Sequence, residues 1–323
     1  MDVRISVLMS AYNAEMYIRE SISSLLRQTF KDFELLITDD LSDDLTVDIV
    51  KSFHDNRIRL FQNKERRGLT ANLISMLSEA KGEYIARLDA DDLSERKRLE
   101  AQKEYLDRNP DCKMVCSYAK AIGSHRGIIK TPVKFDQIKA CLLFYNPVVH
   151  SSVMFRNQPE IVYDAEFLKS QDYALWDSFV DKDYCIGTIR KPLVRFRYHE
   201  GQISNKKCDE QNHFRDIVRA RALLRMGVET SAEERVLWFN FLDGYTELSL
   251  KEVETIAELL DRIGEQNQTR MICSSSSMRK MLDVYYYNLY LIIKKRKYKS
   301  AFSAQIAKKT PLYRKMIGLV KHG

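Results

Sequence analysis

The last forty residues contain no Asp or Glu. Val284 to Gly323 holds ten Lys or Arg, whereas residues 1–283 hold 42 basic and 45 acidic side chains, so the net charge of +7 hides a slightly acidic body and a cationic end. No apolar run approaches the ~18 residues that a membrane-spanning helix needs. The opening MDVRISVLMSAYN lacks a charged leader, a long apolar stretch and a small-residue cleavage site, so no secretory signal is expected. Eleven Gly and six Pro exclude collagen-like and low-complexity chains, and a content of 45% hydrophobic and 30% charged residues excludes wholesale disorder. The six cysteines (Cys112, Cys116, Cys141, Cys185, Cys208, Cys273) have no metal-ligand spacing and are expected as reduced thiols of a cytosolic protein. The absence of G-x-G-x-x-G argues against a dehydrogenase. The first apolar run ends in Ala11-Tyr12-Asn13-Ala14-Glu15, not in the Gly-rich basic loop with which a nucleotidyltransferase would hold a triphosphate.

What is present is an alternation of two signals over the first two hundred residues. Apolar runs at Arg4–Ser10, Phe33–Thr38, Arg57–Phe61 and Glu83–Leu88 read as buried strands. Between them, Ile18, Ile22, Leu25 and Leu26, then Leu45, Ile49, Val50 and Phe53, then Leu69, Leu73, Met76 and Leu77 recur at helical spacing. Strands separated by such helices imply parallel pairing through crossovers, and so an α/β fold. Further strands are expected near Met114–Tyr118, Ser152–Phe155, Cys185–Thr188 and Leu193–Tyr198, with a helix from Asp172 to Phe179. After about Ser204 only helical patterns remain, at Gln211–Met226, Glu233–Asp243, Lys251–Ile263 and Met278–Ile293; Cys273–Ser277 reads as a loop and helix cap. The chain divides on this reading into 1–205, a helical region 206–283 and a basic amphipathic tail 284–323.

Ligands of such sheets bind beyond the carboxyl ends of the strands. There the sequence places Ala11-Tyr12-Asn13, Asp39-Asp40 and Asp89-Ala90-Asp91-Asp92. Carboxylates one residue apart at the end of a buried strand are costly unless compensated, and a hard divalent cation, Mg²⁺ or Mn²⁺, is one solution. Such a cation would also neutralise a departing diphosphate. The alternative is local: Asp92 or Ser94 caps the following helix, and Asp39-Asp40 with Asp43 are turn residues. His150 is open between a site residue and a buried, hydrogen-bonded histidine, while Tyr173, Trp176 and Phe179 read as core.

The ordered blocks are more specific than any one of them. Ala-Tyr-Asn, then Thr-Asp-Asp-Leu-Ser-Asp-Asp, then Asn63 to Asn72 with Gly68-Leu69, then Ala-Arg-Leu-Asp-Ala-Asp-Asp resembles the start of glycosyltransferase family 2. The resemblance runs on through Asn146-Pro147 to His150, Ser170 to Trp176, and Phe196-Arg197-Tyr198-His199 with Gln202-Ile203-Ser204, covering about residues 3–205. It implies a GT-A fold, a Rossmann-like nucleotide-binding sheet with helices on both faces, here followed by a C-terminal helical region. The blocks EYIARLDADD, NPVVHSSVMFR and RYHEGQIS are most similar to bacterial lipooligosaccharide β-1,3-N-acetylglucosaminyltransferases. The implied activity is inverting transfer from a UDP-sugar, first UDP-N-acetylglucosamine, to an oligosaccharide or lipid-linked glycan acceptor, with Mn²⁺ or Mg²⁺.

The family's roles carry over by position. Ser10, Ala11 and Tyr12 match its uridine contacts, and Asp39 its uracil contact, with Asp40 adjacent. Asp89 matches the residue near the ribose and Asp91 the metal ligand, with Arg87 helping to fix the nucleotide. Asp172 matches the catalytic base, and His199 a contact to metal or diphosphate. Two positions depart from the family: Gln171 stands where a Glu is usual, and Leu41 where the second turn usually has Gly. Gln171 is the best argument for a rival reading, a nucleotide-binding pseudoenzyme or membrane scaffold; Asp89, Asp91, Asp172 and His199 argue for the enzyme. In the cationic tail, Tyr285 to Ile293 precede Lys294-Lys295-Arg296-Lys297, and Leu312, Tyr313, Met316, Leu319 and Val320 recur beside Arg314, Lys315 and Lys321. This composition fits an interfacial helix on an anionic membrane surface, which would place the protein in the cytoplasm, peripheral on the inner face of the cell membrane. Nucleic acid fits less well, since no binding module accompanies the charge.

Overall fold

A computed structural model describes residues 3–199 and 209–298, with Ile306 and Lys309 in addition. Two compact units divide the chain: Met1–Ile138 with Pro147–Arg215, and Lys139–Asn146 with Asp216–Gly323.

The first unit is built on one mixed sheet. Its strands are β1 (Ile5–Ala11), β2 (Phe33–Asp39), β3 (Ile58–Gln62), β4 (Tyr84–Arg87), β5 (Leu93–Ser94), β6 (Cys112–Gly123), β7 (Gly127–Ile129), β8 (Met154–Arg156) and β9 (Cys185–Tyr198), ordered β3-β2-β1-β4-β8-β6-β9-β5 with β7 on β6. The four expected N-terminal strands are parallel, and β1 and β2 are buried along nearly their whole length, as strands covered on both faces must be. Beyond β4 the sheet turns mixed: β8 is antiparallel to both β4 and β6, whereas β6 and β9 run parallel. The two strands expected at Cys185–Thr188 and Leu193–Tyr198 are one long strand. Pairing with β6 steps from Ile189 to Pro192 across one partner residue, leaving Arg190-Lys191 as a bulge. A proline interrupts a strand pattern in sequence but is tolerated at a bulge.

Helices α1 (Ile18–Leu26), α2 (Thr46–Lys51), α3 (Gly68–Glu79), α4 (Arg98–Arg108), α5 (Phe135–Leu142) and α6 (Gln171–Asp181) connect these strands. Ile18, Ile22 and Leu25 of α1 are fully buried and join Val7, Met9, Leu35, Ile37 and Ala86 in the core. The helix α4, expected in sequence only as an unbounded helix after Asp92, has a charged exterior, and its buried positions include Arg98 and Gln102, which no apolar pattern reveals. Arg98 donates to the carbonyls of Arg87 and Val153, and Gln102 to that of Ser152. These bonds lock the segment after β4 to the turn before β8.

Cys112 and Cys185 are joined as a disulfide at paired starts of β6 and β9, which corrects the expectation of reduced thiols. Their separation of 73 residues conceals a shared register.

The described residues then form helices α7 (Asp209–Met226), α8 (Ala232–Leu242), α9 (Leu250–Arg270) and α10 (Ser275–Arg296). Ser231 with Glu234, and Ser249 with Glu252, form reciprocal capping boxes at the starts of α8 and α9, and Ser274 caps α10. The second unit's core gathers Trp238, Phe239, Phe144, Ile256, Leu260 and Tyr285, with the Phe144 and Tyr285 rings stacked at 4.6 Å. Tyr286, Leu289, Ile292 and Ile293 lie in this same core. The apolar residues expected to face a membrane are therefore interior, because α10 turns that stripe toward α9. Leu312 to Lys321 lie outside the described residues, as do Gln202, Ile203 and Ser204. No described helix is long and apolar enough to cross a membrane.

Candidate active site

The carboxyl ends of β1, β2 and β4 deliver polar side chains to one rim. Ala11, last in β1, pairs with Asp39, last in β2. Asp39 is buried; its Oδ2 accepts the Ser42 N–H at 3.1 Å, and among the described residues its Oδ1 has no partner. A buried oxygen of this kind is costly unless a ligand donor meets it. The neighbouring Asp40 is already engaged. Its carboxylate accepts the Arg67 and Gly68 N–H groups (2.9 and 3.0 Å) and the Asn63 amide (2.8 Å). Gly68 opens α3 at φ +80, a conformation that favours glycine. Asn63 also donates to Asn72, which donates to Ser10 at 3.0 Å, so Ser10 is reached through a hydrogen-bonded chain from the β2 turn. Tyr12 is 43% exposed and lies under the Arg66 guanidinium, 3.3 Å from its ring centre. Leu41, in the place of the usual glycine, adopts φ +63, so the turn keeps a left-handed residue without glycine.

The acidic motif splits into three environments. The fully buried Arg87 pairs with Asp89. Ser151, in a 3₁₀ turn over His150–Ser152, accepts the Asp89 N–H at 3.0 Å and donates to Asp89 Oδ2 at 2.8 Å. Burial would raise the Asp89 pKa, but the Arg87 charge and these hydrogen bonds outweigh it and hold it below the usual carboxylate range. Asp91 is different: burial and then the Asp89 charge raise it, against a contact from His199 Nε2 at 2.9 Å. Asp92 is buried and accepts the Arg197 N–H at 2.8 Å. It does not cap the next helix, whose first flanking residue is Lys97, nor does Ser94, which bonds Ser24 and Gln28 within the sheet region. Arg197 adds a bond from Nε to the Asp91 carbonyl and one to Glu20, and so ties the end of β9 to the motif. His199 stacks at a tilt on Tyr17 with ring centres 4.8 Å apart.

Asp172 sits in the first turn of α6, where its Oδ1 accepts the Tyr173 N–H at 2.8 Å. Tyr173, Trp176 and Phe179 are buried, as their spacing predicts. Gln171 is buried as well, at 6% exposure. A glutamate there would need a compensating charge that a glutamine does not.

Residues 6–156 match the family Glycosyl transferase family 2. An uncharacterized glycosyltransferase of Haemophilus influenzae is 32% identical over 64% of this chain and 69% of its own. The chain belongs to glycosyltransferase family 2. A second relative, the Escherichia coli UDP-Glc:alpha-D-GlcNAc-diphosphoundecaprenol beta-1,3-glucosyltransferase WfgD, is 31% identical over 67% of this chain and 86% of its own. Among solved structures, S. aureus TarS 1–349 in complex with UDP-GlcNAc superposes with a TM-score of 0.59 at 16% identity, covering 91% of this chain and 92% of that one. The fold of this family 2 glycosyltransferase is GT-A, with C-terminal helices added.

In the glycosyltransferase's sequence, Asn63, Asn72 and Arg197 stand only as members of the ordered blocks, and Ser151 and Tyr163 are not singled out. The fold shows what each holds: Asp40, Ser10, Asp92, Asp89 and His150 respectively. Among the described residues no three His, Cys, Asp or Glu side chains converge as a ready metal cage. Asp91 and His199 nevertheless fit a divalent cation of the hydrated kind. Asp91 carries a charge that Asp89 and burial disfavour, and Mg²⁺-like ions take one or two protein ligands and complete their shell with water and phosphate oxygens.

Proposed function

We propose that this family 2 enzyme moves a hexose from a UDP-sugar to a hydroxyl of a lipid-linked glycan, inverting the anomeric centre. The observation that carries the reading is the pairing of Asp91 with His199 beside an Asp89 already neutralised by Arg87. It leaves Asp91, whose charge burial and Asp89 disfavour, with a histidine contact where a cation and diphosphate would belong. The unpartnered Oδ1 of Asp39 suits the imide N–H of uracil, with Tyr12 and Ala11 bordering the base.

A bound Mn²⁺ or Mg²⁺ would supply charge neutralisation to the departing diphosphate, held by Asp91 and His199. Arg87 orients Asp89 toward the ribose. Asp172 takes the proton of the acceptor hydroxyl as that oxygen attacks, a general-base role typically worth ~10²–10⁴-fold. A single displacement of this kind turns an α-linked donor into a β-linked product and needs no covalent nucleophile.

The donor is read as UDP-N-acetylglucosamine and the linkage as β-1,3, from the blocks EYIARLDADD and NPVVHSSVMFR. WfgD, which takes UDP-glucose to a diphosphoundecaprenol-linked acceptor, makes glucose the competing donor and supports the acceptor class. The enzyme is further read as peripheral on the inner membrane face through the exposed Lys294, Lys295 and Lys297.

The test is a panel of UDP-sugars against galactose- and N-acetylglucosamine-terminated lipid acceptors with mass detection. Transfer should stop with chelator and return with Mn²⁺ or Mg²⁺. Asp172→Asn should lower transfer by ~10²-fold or more while calorimetry with UDP and metal is little changed. Near-normal turnover in that variant would assign the base elsewhere, and full activity in metal-free buffer would remove Asp91 from its role.

A further inference from the structure

His150 stands between the two ends of the site. The Ser151 that follows it clamps Asp89, and Trp176 of α6, the helix that begins with Gln171-Asp172, packs edge-on against the imidazole at 6.0 Å. The other flank is held by Tyr163, whose hydroxyl lies 2.8 Å from His150 Nε2. Tyr163 and Trp176 are buried, while His150 as a residue is half-buried. Among the described residues, the other ring nitrogen, Nδ1, has no hydrogen-bond partner.

The direction of the Tyr163 bond follows from satisfaction. Burial keeps the phenol protonated, and among the described residues its hydroxyl has no acceptor other than Nε2. If Nε2 donated instead, a buried O–H would be stranded. Nε2 therefore accepts, and the single proton of a neutral imidazole sits on Nδ1. The ring stays neutral because loss of hydration and then the Arg87 charge push it down to about 3.

We propose that His150, oriented by Tyr163, is a positioning and specificity residue that donates a hydrogen bond from Nδ1 to an oxygen of the transferred hexose. The proposal rests on the donor-site reading above: with Asp89 toward the ribose and Asp172 on the acceptor hydroxyl, the transferred sugar lies between them. A hexose suits a neutral, fixed, single donor: it offers hydroxyl oxygens whose direction differs between epimers, whereas a phosphate would gain more from a cation.

Four variants decide it, each compared for UDP affinity by calorimetry and for the KM of UDP-hexoses. His150→Phe keeps the ring shape and loses both nitrogens. The donor KM should rise about tenfold, the upper end for one neutral hydrogen bond, and discrimination among UDP-hexoses should shrink, with UDP affinity unchanged. His150→Asn places an amide where Nδ1 stood and should recover most of the donor KM. His150→Gln, which mimics Nε2, should not. Tyr163→Phe should raise the donor KM less, by releasing the tautomer. An unchanged donor KM in His150→Phe, or an equal fall in UDP affinity, overturns the proposal: the first means no contact, the second a contact to phosphate or a merely structural role. Wild-type protein that binds UDP yet transfers no hexose would instead overturn the transfer reading, a result that appears without any change at position 150.

Discussion

At the scale of single residues, the informative feature is which oxygens are already used. Asp39 and Asp40 are adjacent and equally buried, and in sequence only the family resemblance ranks Asp39 first. The structure separates them: Asp40 is saturated by the 63–68 loop, while Asp39 Oδ1 has no donor among the described residues. Asp39→Ala should therefore weaken UDP binding by roughly 10–100-fold, the range for a hydrogen bond to a charged group. Thermal stability should fall little, because removing the orphaned Oδ1 offsets the lost bond from the Ser42 N–H to Oδ2. Calorimetry and a melting curve read the two effects apart, and a large loss of stability with unchanged affinity would reverse the assignment. The same logic shows what was legible beforehand. Asp39, Asp89, Asp91 and His199 stand out as charged groups in ordered blocks. Ser151 and Tyr163 do not, because a hydroxyl has no pattern until the fold brings its partner within reach.

At the scale of elements, the turn after β2 and the start of α3 form one unit around the Asp40 carboxylate. Burial alone would raise the Asp40 pKa, but the Arg67, Asn63 and Gly68 donors win and lower it below 3.8. Glu34, bonded to Ser6, the Lys81 N–H and Arg59, is lowered in the same way from 4.5. For carboxylates depressed in the folded state, the stability they contribute is present above the unfolded pKa and is lost as pH falls through the folded one. Melting temperature should thus drop as pH falls from about 4.5 through those lower values. Asp40→Asn should show a flatter acid limb and a lower melting temperature at neutral pH. A limb of unchanged slope would place the acid sensitivity elsewhere. The early elements were readable because their apolar positions keep a period of two or 3.6. The bounds of α4 and the continuity of β9 were not: buried Arg98 and Gln102 break the first pattern, and Pro192 interrupts the second.

At the scale of the molecule, the asymmetry of charge survives but its structural meaning changes. Tyr285, Tyr286, Leu289, Ile292 and Ile293 are core, and burying each such side chain is worth ~1.5–3 kcal/mol. Their loss together would approach the ~5–15 kcal/mol of a whole domain. Ending the chain before Val284 should therefore unfold the helical unit, and any loss of lipid binding in that truncation says nothing of an anchor. Exchanging the exposed Lys294, Lys295 and Lys297 for Glu leaves the core intact and is the proper test. With liposomes containing anionic lipid, co-sedimentation should fall severalfold and transfer to a short soluble acceptor should persist, since each basic residue near such a surface contributes ~1 kcal/mol. Equal sedimentation of both proteins would remove this cluster as the anchor.

The long β9 has a further consequence for how the chain tolerates changes of length. From Val194 to Tyr198 it pairs residue for residue with Ala119 to Gly123, and His199 follows at once to meet Asp91. Along a strand, side chains alternate between faces, so a shift of one position exchanges every direction. An inserted residue at Arg190-Lys191 falls in a bulge that already carries unpaired chain, and the downstream phase is kept. The same insertion between Val194 and Tyr198 has nowhere to go: it would swing His199 away from Asp91 and carry Arg197 off Asp92. The histidine is thus addressed by counting from the bulge, and natural length variation in this strand should collect upstream of Val194 and avoid the five residues after it.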